Sequence, residues 1–327
     1  MKAPRTLLLY GALIAILALL CVLSLAVGRV TTPLSAILDP NDPAGVIIRE
    51  LRLPRTLLAI LVGGALGLAG AALQGYTRNP LADPGVLGVS SMASLGAVIV
   101  IYFGATALTA WLLPLAAMAG AALGVGFLLL LAGRSSSIVT FILAGAIIQT
   151  IAGAAVALAL NLAPNPWAVN DIVSWLMGSL ADRSMEEVKL AAPFVLAGCL
   201  VLLSLGRALD ALTLGDDGAR SLGIDLGRTR LTLALGSAMA VGASVAVSGV
   251  VGFVGLVTPH LMRPLVGARP GALLLPSALA GAALLVAADI LVRLTPSASE
   301  IKLGVAMAIV GGPFFLALLI AMRRRIA

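Results

Sequence analysis

Residues 84–133, PGVLGVSSMASLGAVIVIYFGATALTAWLLPLAAMAGAALGVGFLLLLAG, run for fifty positions without a charged side chain. A helix needs about 20 apolar residues to cross the hydrocarbon core of a bilayer, so this stretch is long enough for two crossings. Residues 135–170 and 231–262 are uncharged in the same way. Across the 327-residue chain 61% of residues are hydrophobic and 11% are charged, against about 25% charged in an ordinary soluble domain. A soluble fold is excluded. An outer-membrane barrel is excluded as well, because barrel strands alternate apolar and polar over ~10 residues, and these runs are unbroken. The spans must be helical.

Apolar runs set against Gly, Pro and charge punctuation predict spans near Thr6–Val27, Thr56–Tyr76, Val86–Phe103, Ala110–Ala132, Ile138–Leu160, Val188–Leu205, Leu231–Val251, Ala272–Val292 and Leu303–Met322. A tenth, Phe253–Val266, is short and interrupted by Pro259. The run from Thr6 to Val27 after Lys2 and Arg5 is too long for the ~7–15-residue apolar core of a signal peptide and reads as an uncleaved first span.

Sidedness supports ten spans with both termini cytoplasmic. Lys2, Arg5, Arg78, Arg134, Arg207, Arg220, Arg228, Arg230, Arg269, Arg323, Arg324 and Arg325 then lie inside. Outside are Arg29, Arg49, Arg52, Arg55, Arg183, Lys189, Arg293 and Lys302, with Arg263 in the short span. Most acids fall outside, so the bias is positive-inside. This also accounts for a net charge of +7 without nucleic-acid binding. Cys21 and Cys199 sit in apolar runs and read as packing residues, forming neither a disulfide framework nor a metal site.

Arg49, Arg52 and Arg55 cluster on the side where such groups are disfavoured. Either they snorkel at a helix start or they await an acidic partner. At a constant offset of 179, Val62-Gly63 matches Val241-Gly242, Gly70 matches Gly249, Pro80 matches Pro259 and Gly88 matches Gly267. The matched segments are the second and seventh spans, which run in opposite directions. The pattern reads as an inverted repeat, with chance likeness between Gly/Ala-rich helices as the alternative. Gly63/Gly67 and Gly120/Gly124 stand at the spacing that lets helices approach closely.

The chain has three lysines, Lys2, Lys189 and Lys302, and none follows a glycine, so the phosphate-loop signature is absent. Neither a nucleophile elbow nor a His-Glu-x-x-His helix is present. His260, the only histidine, reads as a packing or capping group. Asp289 is the only acid inside a clear span and pairs by spacing with Arg293 near the outer end, as at a stabilised helix end. An ion-coupled carrier would want a free mid-membrane carboxylate instead. Between Arg207 and Arg230, Asp216-Asp217 open a short helical stretch through Ala219, Arg220, Ser221 and Leu222, stopped by Gly223, and Asp225 can cap a second short helix, the two lying along the membrane face. This segment reads either as a contact surface for a soluble partner or as a solvated loop.

The chain resembles, over nearly its whole length, the permease subunits of ABC importers for iron chelates, haem and vitamin B12. The resemblance is carried by Arg52-Leu53-Pro54-Arg55, Gly63-Gly64-Ala65, Gln74, and Arg78-Asn79-Pro80-Leu81-Ala82-Asp83-Pro84-Gly85-Val86-Leu87-Gly88. It extends to Gly252-Phe253-Val254-Gly255-Leu256-Val257-Thr258-Pro259-His260, Ala288-Asp289 and Gly311-Gly312-Pro313-Phe314-Phe315. It implies one permease domain over residues 1–327, an all-α, ten-helix inner-membrane subunit working as a homodimer. Two copies of a separate ATPase, which would carry ATP and Mg, would sit on the cytoplasmic face and a periplasmic binding protein above; this chain itself would hold no cofactor. It further implies docking of the binding protein on Arg52, Arg55 and Arg293, a cytoplasmic gate at Asn79 and Leu81, and ATPase coupling through Asp216, Asp217, Ala219, Arg220, Ser221, Leu222 and Gly223. Two departures stand out. Glu300-Ile301-Lys302-Leu303-Gly304 lacks the proline usual before the last span, and Pro264 follows Arg263 where an apolar residue is usual.

Overall fold

The computed structural model describes residues 3–28, 30–39, 42–133, 137–296 and 300–326, with backbone alone at 3–5 and 321–326. Lys2, Arg29 and Arg134, and the side chains of Arg5 and Arg323 to Arg325, all used in the charge bias, lie outside that description. Among the described residues all regular structure is helical.

The helices are α1 (Ala3–Ala26), α2 (Leu53–Thr77), α3 (Val89–Tyr102), α4 (Leu112–Ala132), α5 (Ile138–Asn161), α6 (Pro166–Leu176) and α7 (Met185–Leu203). They continue as α8 (Gly206–Leu212), α9 (Gly215–Ser221), α10 (Leu226–Ser248, with a π-turn at Ala238–Gly242), α11 (Val254–Val266), α12 (Pro270–Leu294) and α13 (Leu303–Ile326). Among the described residues seven stretches are long and apolar enough to cross a membrane, and α7 with α8, bent by 43°, makes an eighth if the pair is one span. The expected third span is shorter than its sequence: Pro84–Leu87 forms a 3-10 turn, Gly88 takes φ +75°, and only 14 helical residues follow. At 1.5 Å per residue α3 is about 21 Å long, less than a bilayer core. The thirteen residues of α11 are shorter still.

α2 forms the centre, buried along most of its length. It meets α12 backbone to backbone: a β-carbon on Gly63 would stand 2.3 Å from the carbonyl oxygen of Gly281, and one on Gly67 2.2 Å from that of Ser277. Against α11, a β-carbon on Gly70 would stand 1.9 Å from the Gly255 oxygen. Small residues therefore give contact without intervening side chains, the packing available where lipid supplies no hydrophobic drive between helices. Gly120 of α4 approaches the Met92 carbonyl of α3 in the same way. α1 and α5 instead expose Leu7, Leu8, Ile14, Leu143, Ile147 and Ile151, the outward apolar face a lipid-covered helix requires. Three interior hydroxyls satisfy themselves locally: Ser244, Ser248 and Thr258 donate to carbonyls four residues back at 2.7, 2.8 and 2.9 Å.

The repeat partners are not conformationally equivalent throughout. Gly70 lies inside α2, whereas Gly249 ends α10 with φ +68°. Gly88 and Gly267 both take positive φ just ahead of the next helix. Helix α6, between the fifth and sixth expected spans, was not foreseen in the sequence. Pro264 sits inside α11, which continues through it to Val266.

Candidate functional site

Two polar regions sit at opposite ends of α2. At its N-terminal end a π-turn over Ile47–Arg52 leads into the helix and brings Arg52 and Arg55 toward α1 and the C-terminal end of α12. Arg52, Arg55 and Arg293 come together there, but buried, at 6, 8 and 7% exposure. They are not side chains standing free at a surface.

Arg55 is the hub. Its Nε donates to Asp289 Oδ1 and Oδ2 at 2.8 and 3.0 Å, and its Nη2 lies 2.7 Å from Oδ1. Nη1 donates to Glu300 Oε2 at 3.2 Å, and Nη2 also donates to Glu300 Oε1. The pair foreseen between Asp289 and Arg293 is present, Nε to Oδ2 at 3.2 Å, but it does more than close a helix end. Asp289 is fully buried, and Arg293 reaches across to α1, donating to Ser24 O at 2.9 Å and Ser24 Oγ at 2.5 Å. Ser24 Oγ is itself 2.6 Å from Thr56 Oγ1. Arg52 is bound by neutral oxygens: Leu25 O and Thr32 Oγ1, both at 2.8 Å, and Val30 O. Charges buried this far from water persist only when paired or saturated with hydrogen bonds, as these are.

A recess of about 300 Å³ opens onto the network, lined by four arginines, Arg52, Arg55, Arg183 and Arg293, and two acids, Asp182 and Glu300. Arg55 and Arg293 are offset by Asp289 and Glu300, and Arg183 by Glu187 and Asp182, which leaves Arg52 as the arginine without an acidic partner among the described residues. Arg183 reaches Glu187 at 3.9 Å, while its buried Nε has no hydrogen-bond partner among the described residues, and burial lowers its pKa. A neighbouring recess of about 340 Å³ carries Asp171, Ser174, Ser179, Asp182, Arg183 and Lys302. The missing proline before the last helix is absorbed locally. α13 starts at Leu303, and a β-carbon on Gly304 would stand 2.4 Å from the Met177 oxygen, so a glycine is what the close approach needs there.

At the other end, Arg78 closes α2 in the left-handed conformation, φ +52°. Asn79 Oδ1 accepts from Leu81 N at 3.0 Å and folds the loop into a turn. Asp83 Oδ1 accepts from Gly85 N at 2.8 Å; burial pushes this carboxyl up from its ordinary range, partly offset by that bond. Asp216 and Asp217 open α9 and Gly223, φ +80°, follows it, as the sequence foretold. Asp225 accepts from Arg228 N at 3.0 Å as a helix cap, but the helix it opens is the long α10 and not a second short helix. Ala219 is fully buried, whereas Leu214 and Leu222 are 66 and 61% exposed on a polar end of the molecule. Arg220 pairs with Asp217 at 3.3 Å, and Ser221 donates back to Gly218 O at 2.8 Å.

The sequence did not reveal the bond between these segments: Arg78 Nη2 meets Asp216 Oδ1 at 2.9 Å, tying the Asn79–Leu81 loop to α9. Asp210 similarly accepts from Arg269 and from Gly271 N, both at 2.8 Å, fastening α8 to the start of α12. Gln74 accepts from Arg263 at 3.0 Å behind the loop. Glu300 and Arg183 were also missed as members of the arginine site. Glu300 had stood out only as the start of the segment before the last span, and Arg183 only as an outer charge. His260 packs edge-on to Phe314 with ring centroids 5.9 Å apart, in keeping with a packing role. Among the described residues no three His, Cys, Asp or Glu side chains come together as metal ligands.

The hemin transport system permease protein of Yersinia pestis is 37% identical to this chain, covering 98% of it and 97% of that protein. The Fe(3+) dicitrate transport system permease protein of Escherichia coli (strain K12) is 39% identical over 92% of this chain and 94% of its own length. A solved structure described as an inward-facing conformation of a metal-chelate type ABC transporter superposes with a TM-score of 0.87 at 32% identity, covering 96% of this chain and 99% of that one. The sequence matches the FecCD transport family profile over residues 16–321, and the chain belongs to the FecCD transport family.

Proposed function

We propose that this chain is the membrane-spanning permease subunit of a binding-protein-dependent ABC importer that carries a metal chelate across the bacterial inner membrane, driven by a separate ATPase. A ferric siderophore is the first candidate substrate, with haem or a corrinoid next. The family membership supports the class. The observation that carries the mechanism is the placement of two polar devices at opposite ends of one central helix.

In this reading the seven long spans, the bent α7–α8 pair and the short α3 and α11 make ten crossings with an inverted repeat, and the chain works as a homodimer with both termini cytoplasmic. The arginine recess receives acidic side chains of the binding protein. Helix α9, with exposed Leu214 and Leu222 at its flanks, seats in the ATPase. Arg78 passes its displacement to the gate loop at Asn79 and Leu81. Asp289 does not serve as a coupling-ion site, because its oxygens are engaged by Arg55 and Arg293. That removes the carboxylate on which an ion-driven carrier would depend.

Gentle detergent purification of the tagged chain from its host, with mass spectrometry of the proteins retained, tests the assignment. A soluble ATPase in about equal amount is expected, together with uptake that requires ATP and survives collapse of the ion gradient. Gradient-dependent uptake by a chain that purifies alone would refute it.

A further inference from the structure

The guanidinium of Arg55 has five N–H donors, arranged as two bidentate edges and one remaining hydrogen. Asp289 takes the Nε/Nη2 edge at 2.7–3.0 Å from a fully buried position on α12. Glu300 takes the Nη1/Nη2 edge. Both edges are filled, so no carboxylate from another protein can engage Arg55 bidentately while Glu300 stays in place.

The two resident acids are not equivalent. Asp289 is held inside by two arginines. Glu300 belongs to no helix, precedes α13 by three positions, and its side chain is 25% exposed where it lines the recess. Arg52 is bound by neutral oxygens and, among the described residues, has no acidic partner.

We propose that Glu300 is a built-in competitor for the docking site: an acidic side chain of the binding protein displaces it from the outer edge of Arg55, and its release loosens the segment that leads into α13. The proposal rests on the docking reading of the arginine recess and adds the exchange to it. One charge-assisted pair is traded for another, so the displacement of Glu300 offsets part, and not all, of the affinity that Arg55 lends to docking. Docking then stays reversible, while the displaced Glu300 carries the signal to the last helix.

The test uses the permease–ATPase complex in nanodiscs and, as probe, the binding protein recovered with it, measured by surface plasmon resonance. Glu300→Gln and Glu300→Asp, the latter too short to reach, should each bind the probe about tenfold tighter than the parent, the scale of losing one charged competitor. A nitroxide at Lys302→Cys should gain mobility when the binding protein is added, and should already be mobile in the Glu300→Gln background without it. Arg55→Gln separates docking at the recess from the exchange at Glu300. If it weakens docking while the Glu300 variants bind no tighter, the exchange is overturned and the docking reading stands. If Arg55→Gln leaves docking unchanged, the docking reading falls and the exchange falls with it.

Discussion

Replacing Asp289 by Asn should cost this protein more than any other single isosteric change at the arginine site. The carboxylate accepts from Arg55 at 2.8 and 3.0 Å through Nε and lies 2.7 Å from its Nη2 and 3.2 Å from Arg293 Nε. Asn keeps one oxygen and turns the other into an NH2 group that faces guanidinium hydrogens, so donors meet donors. Arg52, Arg55 and Arg293 are balanced at present by Asp289 and Glu300, leaving one excess positive charge; the substitution leaves two, in residues at most 8% exposed. Breaking a buried ion pair by removing one member costs about 3–5 kcal/mol. At about 2–4 °C per kcal/mol, the apparent melting temperature should fall by about 6–20 °C. Heating in one detergent followed by fluorescence-detected size exclusion reads this directly. Asp217→Asn serves as the charge-matched control, since that side chain is 98% exposed. Adding Arg293→Met to Asp289→Asn removes the surplus charge while keeping an apolar stem, and should recover part of the loss. A fall of less than about 1 kcal/mol for Asp289→Asn, or a further fall on adding Arg293→Met, would refute this account of the network.

Two further outcomes follow from the opposite end. Arg78 and Asp216 are 40 and 32% exposed, so reversing either should change stability by only ~0.2–1 kcal/mol. Uptake per ATP hydrolysed should nonetheless fall by up to about fivefold, the ceiling such a pair sets, and the double swap Arg78→Asp/Asp216→Arg should restore it; a swap no better than the single reversals would break the proposed link. Asp83 has its pKa raised above 3.8 by burial, so the native state binds the proton more tightly than the unfolded chain and loses stability as pH rises through that raised value. Asp83→Asn, which keeps the acceptor for Gly85 N, should therefore match the parent below pH ~4 and exceed it at neutral pH; melting curves across this range would show the reverse order if the carboxylate were stabilising.

Much of this architecture was legible because the relevant signals are local. Charge-free runs marked the long spans, and Asp216 and Gly223 bounded α9 and Asp225 marked the start of α10 through end effects that act within a turn. The spacing of Asp289 and Arg293 gave their contact. Arg55 and Asp289, separated by 234 positions, have no local signature, and neither do Arg78 and Asp216. Helix α6 escaped notice because eleven amphipathic residues with polar Asn170, Asp171 and Ser174 do not register as an apolar run. The start of α3 was misplaced because Pro84–Leu87 is apolar in composition, while its conformation is set by Asp83 capping Gly85 and by the left-handed Gly88. Hydropathy locates what lipid accepts; where a helix begins depends on hydrogen bonds and φ angles.

The contacts of α2 with α11 and α12 restrict how such a molecule can move. Where Gly63 meets Gly281, Gly67 meets Ser277 and Gly70 meets Gly255, no side chains lie between the backbones, so no rotamer change can absorb a sliding step. Shear between packed helices is normally taken up by small adjustments of interlocking side chains. Without them, a displacement of even an ångström sets peptide groups against each other. The three helices therefore behave as a stator, and switching of access has to be carried by the elements around it: the bent joint between α7 and α8, the π-turn in α10, and α13, whose start is tethered through Glu300.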